Sequence, residues 1–163
     1  MFLRELAVAL EAHGVRYALV GGVAVNLHGI PRMTYDVDLM VDMTAENLAA
    51  CEAALRSARL SPRLPIALAS LVDAEERGRL ERERNLVAVT YTDSNDPLRE
   101  VDVLVAPSLE PERIVQGGIR CPLGELELRL ASLDDLIWLK RRAGRAQDLA
   151  DLVHLERRRR SHA

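Results

Sequence analysis

The sequence predicts an α/β fold: a small mixed β-sheet flanked by helices, with a short helical segment at the C-terminal end. Three observations predict it. Helix-period and strand-period patterns alternate along the chain, as they do in layered α/β and α+β domains. The strand candidates 17–20, 35–41, 86–91 and 99–105 are short apolar or alternating runs, most of them bounded by Gly, Pro or Asp turn signals. Apolar residues are 48% of the 163 and charged residues 29%, a balance that builds one globular core and argues against disorder.

The elements follow in order. Leu3, Leu6, Ala7 and Leu10 recur at the spacing of one helix face, and His13-Gly14 closes that helix with a glycine suited to a left-handed cap. The run 17–20 ends at Gly21-Gly22 and reads as a buried strand; 23–28 begins a second helix, broken by Gly29-Ile30-Pro31. Residues 35–41 alternate polar and apolar, as a strand does. Thr44 caps a helix over 45–58. Pro62 and Pro65 mark a loop or short extended piece, and 68–80 reads as helical. The strand 86–91, a turn over 92–97 and the strand 99–105 follow. Then come a single helical turn at 112–116 and a last strand at 125–130. Ser132 and Asp135 resemble a capping box opening a helix, Gly144 interrupts it, and 147–156 resumes as a final helix with Leu149, Leu152, Val153 and Leu155. Residues 1–131 read as the core and 132–163 as a helical segment packed on it.

Composition bounds the function. The net charge of −3 excludes a strongly basic nucleic-acid binder, although residues 132–163 carry eight basic and five acidic side chains against 14 and 20 in residues 1–131. An aromatic content of 3% excludes stacking as the main device for binding single strands. Two cysteines, Cys51 and Cys121, make neither a disulfide framework nor a zinc site. No apolar run reaches the length of a membrane span. The N-terminus reads as an amphipathic helix and not as a signal peptide, so a cytoplasmic location is expected.

The informative unit is Gly21-Gly22, then thirteen residues, then Asp36-Val37-Asp38. Residues i and i+2 of a strand share a face, so Asp36 and Asp38 project together while Val37, Leu39 and Val41 face the core. Two neighbouring carboxylates repel unless a cation lies between them, and a hard divalent ion with oxygen ligands suits the pair. Asp102 sits in an equally apolar strand. If the two strands are neighbours, three carboxylates converge, enough to hold two metals for an in-line displacement at phosphorus. Glycines between a strand and a helix N-terminus let backbone N–H groups approach a phosphate.

The stretches LVGGVAVNLHGIPRMTYDVDLMV, EVDVLVAP and ASLDDLIWLKRRAGRAQDLADL resemble the polymerase-beta-like nucleotidyltransferase superfamily. The resemblance is closest to its minimal bacterial members, including the AbiEii-type toxin nucleotidyltransferases. It implies a nucleotidyltransferase-like fold and Mg²⁺-dependent, or Mn²⁺-dependent, transfer of a nucleoside monophosphate from an NTP. It implies that Asp36, Asp38 and Asp102 are the metal-binding catalytic carboxylates, and that Gly21 and Gly22 form the phosphate loop. Many members have Gly-Ser where this chain has Gly21-Gly22, so the serine hydroxyl must be replaced by backbone or by another side chain. The acceptor implied is a hydroxyl of RNA, such as tRNA, or of protein, in a toxin–antitoxin system with a cognate antitoxin or toxin.

Lys140 is the only lysine beside 21 arginines, which points to a site where the compact ammonium matters, such as a triphosphate contact. Arg32 and Thr34 flank the aspartate pair and are further candidates for nucleotide contact. Arg145 and Asp148 are spaced to pair on a helix, and Asp148 is placed to position Lys140 or the acceptor. His28 is a helix-end cap, His13, His154 and His162 are surface or capping residues, Trp138 is core, and Arg157–Arg160 reads as a frayed basic tail. Two alternatives within the family are an antitoxin-type enzyme that adenylylates a partner toxin and a catalytically silent nucleotide-binding module. A phosphohydrolase ranks last, because the His/Asp clusters such sites recruit are missing. The identity of the NTP, the oligomeric state and the role of 59–84 are not legible.

Overall fold

A computed structural model describes residues 2–161. Helix α1 (Phe2–Ala12) leads into β1 (Tyr17–Val20), α2 (Gly21–Leu27), β2 (Val37–Val41), α3 (Ala45–Ser57) and a two-residue β3 (Ser61–Pro62). Then come α4 (Ala74–Arg84), the hairpin β4 (Ala88–Asp93) and β5 (Asp96–Leu104), α5 (Pro111–Gln116), the hairpin β6 (Ile119–Leu123) and β7 (Leu126–Leu130), α6 (Leu133–Ala143) and α7 (Ala146–Arg160). Short 3₁₀ turns lie at Leu68–Leu71 and Pro107–Leu109.

The seven strands form one sheet in the order β3-β4-β5-β2-β1-β7-β6. It is mixed: β1 runs antiparallel to β2 and parallel to β7, while β2 runs parallel to β5. Adjacent hairpins β4–β5 and β6–β7 complete the two flanks. The predicted mixed sheet with flanking helices is therefore the observed fold. Its centre is dry. Leu19, Leu39, Val101 and Val103 on the central strands are buried, and so are Leu6 and Leu10 of α1 and Leu48 and Leu55 of α3. Helix α1 packs on α3, α5 lies against β1 and β2, and α6 pairs with α7.

Several boundaries differ from expectation for identifiable reasons. Helix α2 begins at Gly21, because Gly21 itself turns the chain at φ +60° straight out of β1. Strand β2 begins at Val37 rather than at residue 35. The preceding stretch is held by side chains instead of a ladder: Arg32 N–H donates to Asn26 Oδ1 at 2.6 Å, and Thr34 Oγ1 donates to Asp36 Oδ1 at 2.8 Å. The expected helix over 68–80 is split, because Asp73 accepts from Glu76 N–H and starts α4 afresh. The turn between β4 and β5 narrows to Ser94–Asn95. Strand β6 was not predicted: Pro122 and the Gly117-Gly118 pair argue against a strand, but at a sheet edge proline is tolerated.

Ser132 caps α6 by accepting from Asp135 N–H at 3.1 Å, but the return bond of a capping box is absent; the Ser132 hydroxyl donates to the Asp135 carboxylate instead. Arg157–Arg160 is the last turn of α7 and not a frayed tail. Within α7 Leu155 is buried, whereas Leu149 and Val153 face solvent. His13 Nδ1 lies 2.9 Å from Ala9 O at the end of α1; His162 falls outside the described residues. No helix among the described residues is long and apolar enough to cross a membrane.

Candidate active site

The parallel register of β2 and β5 puts Asp38 directly beside Asp102. Asp36 precedes β2 by one residue, and its carboxylate comes to the same place. Ligand oxygens of Asp36, Asp38 and Asp102 all lie within 4.8 Å of one another, on half-buried side chains. None of the three is in an ion pair among the described residues. Burial first, then the charges of Asp36 and Asp102, push the Asp38 carboxyl from near 3.8 up to about 6, against the opposing pull of Lys140 and Arg145. An all-oxygen set of repelling carboxylates, with no direct ion pair among the described residues, fits a hard divalent cation.

Threonines steady two of the three. Thr34 donates to Asp36, and Thr90 Oγ1 on β4 donates to Asp102 Oδ1 at 2.5 Å across the strand pair. Asp38 is steadied by shape. A Cβ on Gly21 would lie 1.7 Å from Asp38 Oδ2, so only glycine leaves room for that carboxylate, and the φ of +60° independently favours it. A Cβ on Gly22 would lie 2.5 Å from Thr34 Oγ1. The Thr34 hydroxyl thus takes the space that a serine side chain at position 22 needs. Its one proton goes to Asp36, so it acts on the carboxylate rather than donating to a ligand.

The expected cations are present: Asp148 pairs with Lys140 and Arg145 as its spacing suggested, and Asp151 is a further partner that sequence did not foresee. Lys140 Nζ is buried between Asp148 Oδ1 at 2.7 Å and Asp151 Oδ2 at 2.9 Å. Arg32 donates to the same Asp151 oxygen at 2.6 Å, and Arg145 Nε donates to Asp148 Oδ2 at 2.7 Å. Three cations around two carboxylates leave a net positive patch beside the aspartate triad. The network ties α6 and α7 to the loop before Asp36, so residues 119 positions apart in sequence shape one site. Trp138 is partly buried, with the guanidinium groups of Arg113 and Arg142 each 5.0 Å from its ring centre. His28 Nε2 lies 2.9 Å from Ala131 O.

The triad, the glycine turn and the cations beside them line a cleft of about 1150 Å³. Gly21, Gly22, Arg32, Thr34, Lys140, Arg145 and Asp148 border it with the triad, and Val87, Leu104, Leu109, Leu136 and Leu139 give it an apolar wall. Asp151 and Thr90 were missed by sequence reasoning. Asp151 stands three residues after Asp148 on the same helix face, which is the signal that could have found it. Thr90 had no local signal, because its role depends on the register of β4 against β5.

A large cleft at the end of a mixed sheet, with three carboxylates converging beside a glycine turn and a cationic patch, is the class of site that phosphoryl-transfer enzymes use. Comparison with protein families is specific: the model of the nucleotidyl transferase AbiEii toxin family, of type IV toxin–antitoxin systems, matches residues 2–163. The chain belongs to this family of nucleotidyltransferase toxins. Comparison with individually curated proteins returns no significant match.

Proposed function

We propose that this chain is an active, divalent-metal-dependent nucleotidyltransferase. It moves a nucleoside monophosphate from an NTP to a hydroxyl of RNA or protein, as the toxin of a toxin–antitoxin pair in the cytoplasm. The observation that carries the reading is the convergence of Asp36, Asp38 and Asp102, without ion-pair partners among the described residues, in a cleft that also holds a cationic patch. A silent module has no need of a triad whose repulsion costs stability. The core of 1–131 supplies the carboxylates, and the helical segment of 132–163 completes the phosphate side.

Asp36, Asp38 and Asp102 would hold Mg²⁺ or Mn²⁺. Bound there, the metal supplies neutralisation of the triphosphate and lowers the pKa of a bound hydroxyl. The chain's own residues do the rest. The Cβ-free Gly21-Gly22 turn lets the backbone approach the phosphates closely. Arg145, with its side chain 77% exposed at the cleft, offers a guanidinium to the β- and γ-phosphates, while buried Lys140 contributes positive potential from behind. Asp102 takes the proton of the acceptor hydroxyl as its oxygen attacks the α-phosphorus. The new O–P bond forms as the bond to the bridging oxygen breaks, and pyrophosphate leaves with that electron pair.

The test is incubation of the purified chain with Mg²⁺, each α-³²P-labelled NTP, and total tRNA or total protein, beside the Asp36→Ala/Asp38→Ala double variant. Label transferred by the native chain and lost in the variant establishes the reaction. Absence of both transfer and Mg²⁺–NTP binding by calorimetry overturns it.

A further inference from the structure

We infer that Tyr35, backed by Met33, is a stacking platform for the terminal nucleobase of a single-stranded nucleic-acid acceptor. The inference rests on the nucleotidyl-transfer reading and names the acceptor class for the same cleft. Tyr35 is the one exposed aromatic ring among the described residues: Tyr17 and Tyr91 are buried, and Phe2 and Trp138 are partly buried under arginines. In so aromatic-poor a chain, the single solvent-facing ring stands one residue before Asp36. It is 67% exposed and Met33 is 75% exposed, although both line the cleft. Leaving two large apolar side chains open to water has no packing benefit here.

The pair is held in place. The Tyr35 hydroxyl donates to Met33 Sδ at 3.4 Å, and the loop beneath is fixed through Arg32 to Asp151 and through Thr34 to Asp36. A fixed ring loses little entropy when a base settles on it. The cleft of about 1150 Å³ exceeds the volume typical of a single small-ligand pocket, so it has room for a donor nucleotide and an acceptor end together. Leu136 and Leu139 of the apolar wall are more buried than Tyr35 and suit the donor base, which leaves the exposed ring to the acceptor. Arg142 also borders the cleft, rests on Trp138 and is in no ion pair among the described residues, so it offers an uncompensated charge to an acceptor phosphate. One ring serves one base, which is consistent with a composition too poor in aromatics for a multi-base platform.

The experiment uses fluorescence anisotropy of 5′-labelled single-stranded RNA 12-mers with the full chain, Mg²⁺ and a non-hydrolysable NTP analogue. One oligomer ends in adenosine and the other in an abasic nucleotide. Tyr35→Ala is expected to weaken binding of the intact oligomer about tenfold, as loss of one stacked base does. Tyr35→Phe should keep binding within about twofold. The abasic oligomer should bind wild type as weakly as the intact one binds Tyr35→Ala, with no further loss when the two changes are combined. Arg142→Gln should reduce the slope of log affinity against log salt by about one. Equal tenfold losses for both oligomers, or no loss for either, overturn the inference. So does a drop in NTP affinity with RNA binding unchanged, which would give the ring to the donor base. Label passing to protein and never to RNA overturns it as well. Wild-type Mg²⁺–NTP binding by calorimetry is read separately: if present, any failure belongs to the platform; if absent, the nucleotidyl-transfer reading falls and takes the platform with it.

Discussion

Thr90 Oγ1 donates to Asp102 Oδ1 at 2.5 Å, from the residue directly opposite in the β4–β5 ladder. The bond commits one carboxylate oxygen and fixes the orientation of the other. Thr90→Val keeps the shape and removes the donor. A hydrogen bond of this kind is worth about 1 kcal/mol, so Mg²⁺ affinity is expected to fall about fivefold. Thr90→Ser should restore it. Calorimetric titration with Mg²⁺ checks both, and an unchanged affinity in the valine variant would remove Thr90 from the site.

Asp38 is held in its charged form against burial and two like charges, and a neutral isostere relieves that. A carboxyl raised to about 6 weakens the fold at neutral pH, where it is ionised. In the absence of divalent cations Asp38→Asn is therefore expected to melt a few degrees higher than wild type, consistent with about 1 kcal/mol or more. Added Mg²⁺ should raise the melting temperature of wild type and not of the variant. A variant that melts lower in chelator would contradict the electrostatic account.

Gly21→Ala meets two obstacles at once. Left-handed backbone at φ +60° costs an alanine about 1 kcal/mol, and the new methyl overlaps Asp38 Oδ2. The carboxylate must move by an ångström or more, a displacement that costs about 100-fold in rate. Transfer assays should show this loss with the secondary structure intact by circular dichroism. Activity within twofold of wild type would mean that Asp38 has freedom the structure does not show.

Burial alone would raise the Asp148 carboxyl. Hydrogen bonds from Arg145 and Lys140, with their charges, outweigh it and hold the carboxyl below its ordinary value. A depressed carboxylate contributes stability that is complete above the ordinary value of about 3.9 and is lost as pH falls through the lower folded value. Asp148→Asn leaves Lys140 with Asp151 alone, so about 3 kcal/mol of stability should be lost at pH 7. Urea denaturation should show that deficit shrinking steadily below pH 4. A deficit that stays constant down to pH 2 would assign it to packing rather than charge.

The triad was legible because its evidence is local: alternation around Asp36-Val37-Asp38 and a second apolar strand around Asp102 are both visible within a few residues. Register then did the rest, pairing Asp38 with Asp102. The glycines were legible as a turn, but their main steric partners, Asp38 and Thr34, lie twelve or more residues away. Lys140 stood out by composition and Asp148 by its spacing from Arg145, yet the second neutralising partner, Asp151, came only from packing of α7. The link from Arg32 to Asp151 spans 119 residues, and no local pattern encodes it. Strand β6 was hidden because Pro122 carries a breaker signal that only an edge position excuses.

That long link also bears on how the protein is made. Asp36 and Asp38 leave the ribosome before Asp151 does, and the loop before them acquires its anchor only when Asp151 has been synthesised and α7 has formed. A growing chain therefore holds its carboxylates without the brace that sets them. The site is therefore complete only once α7 has packed, and not when its carboxylates are first made.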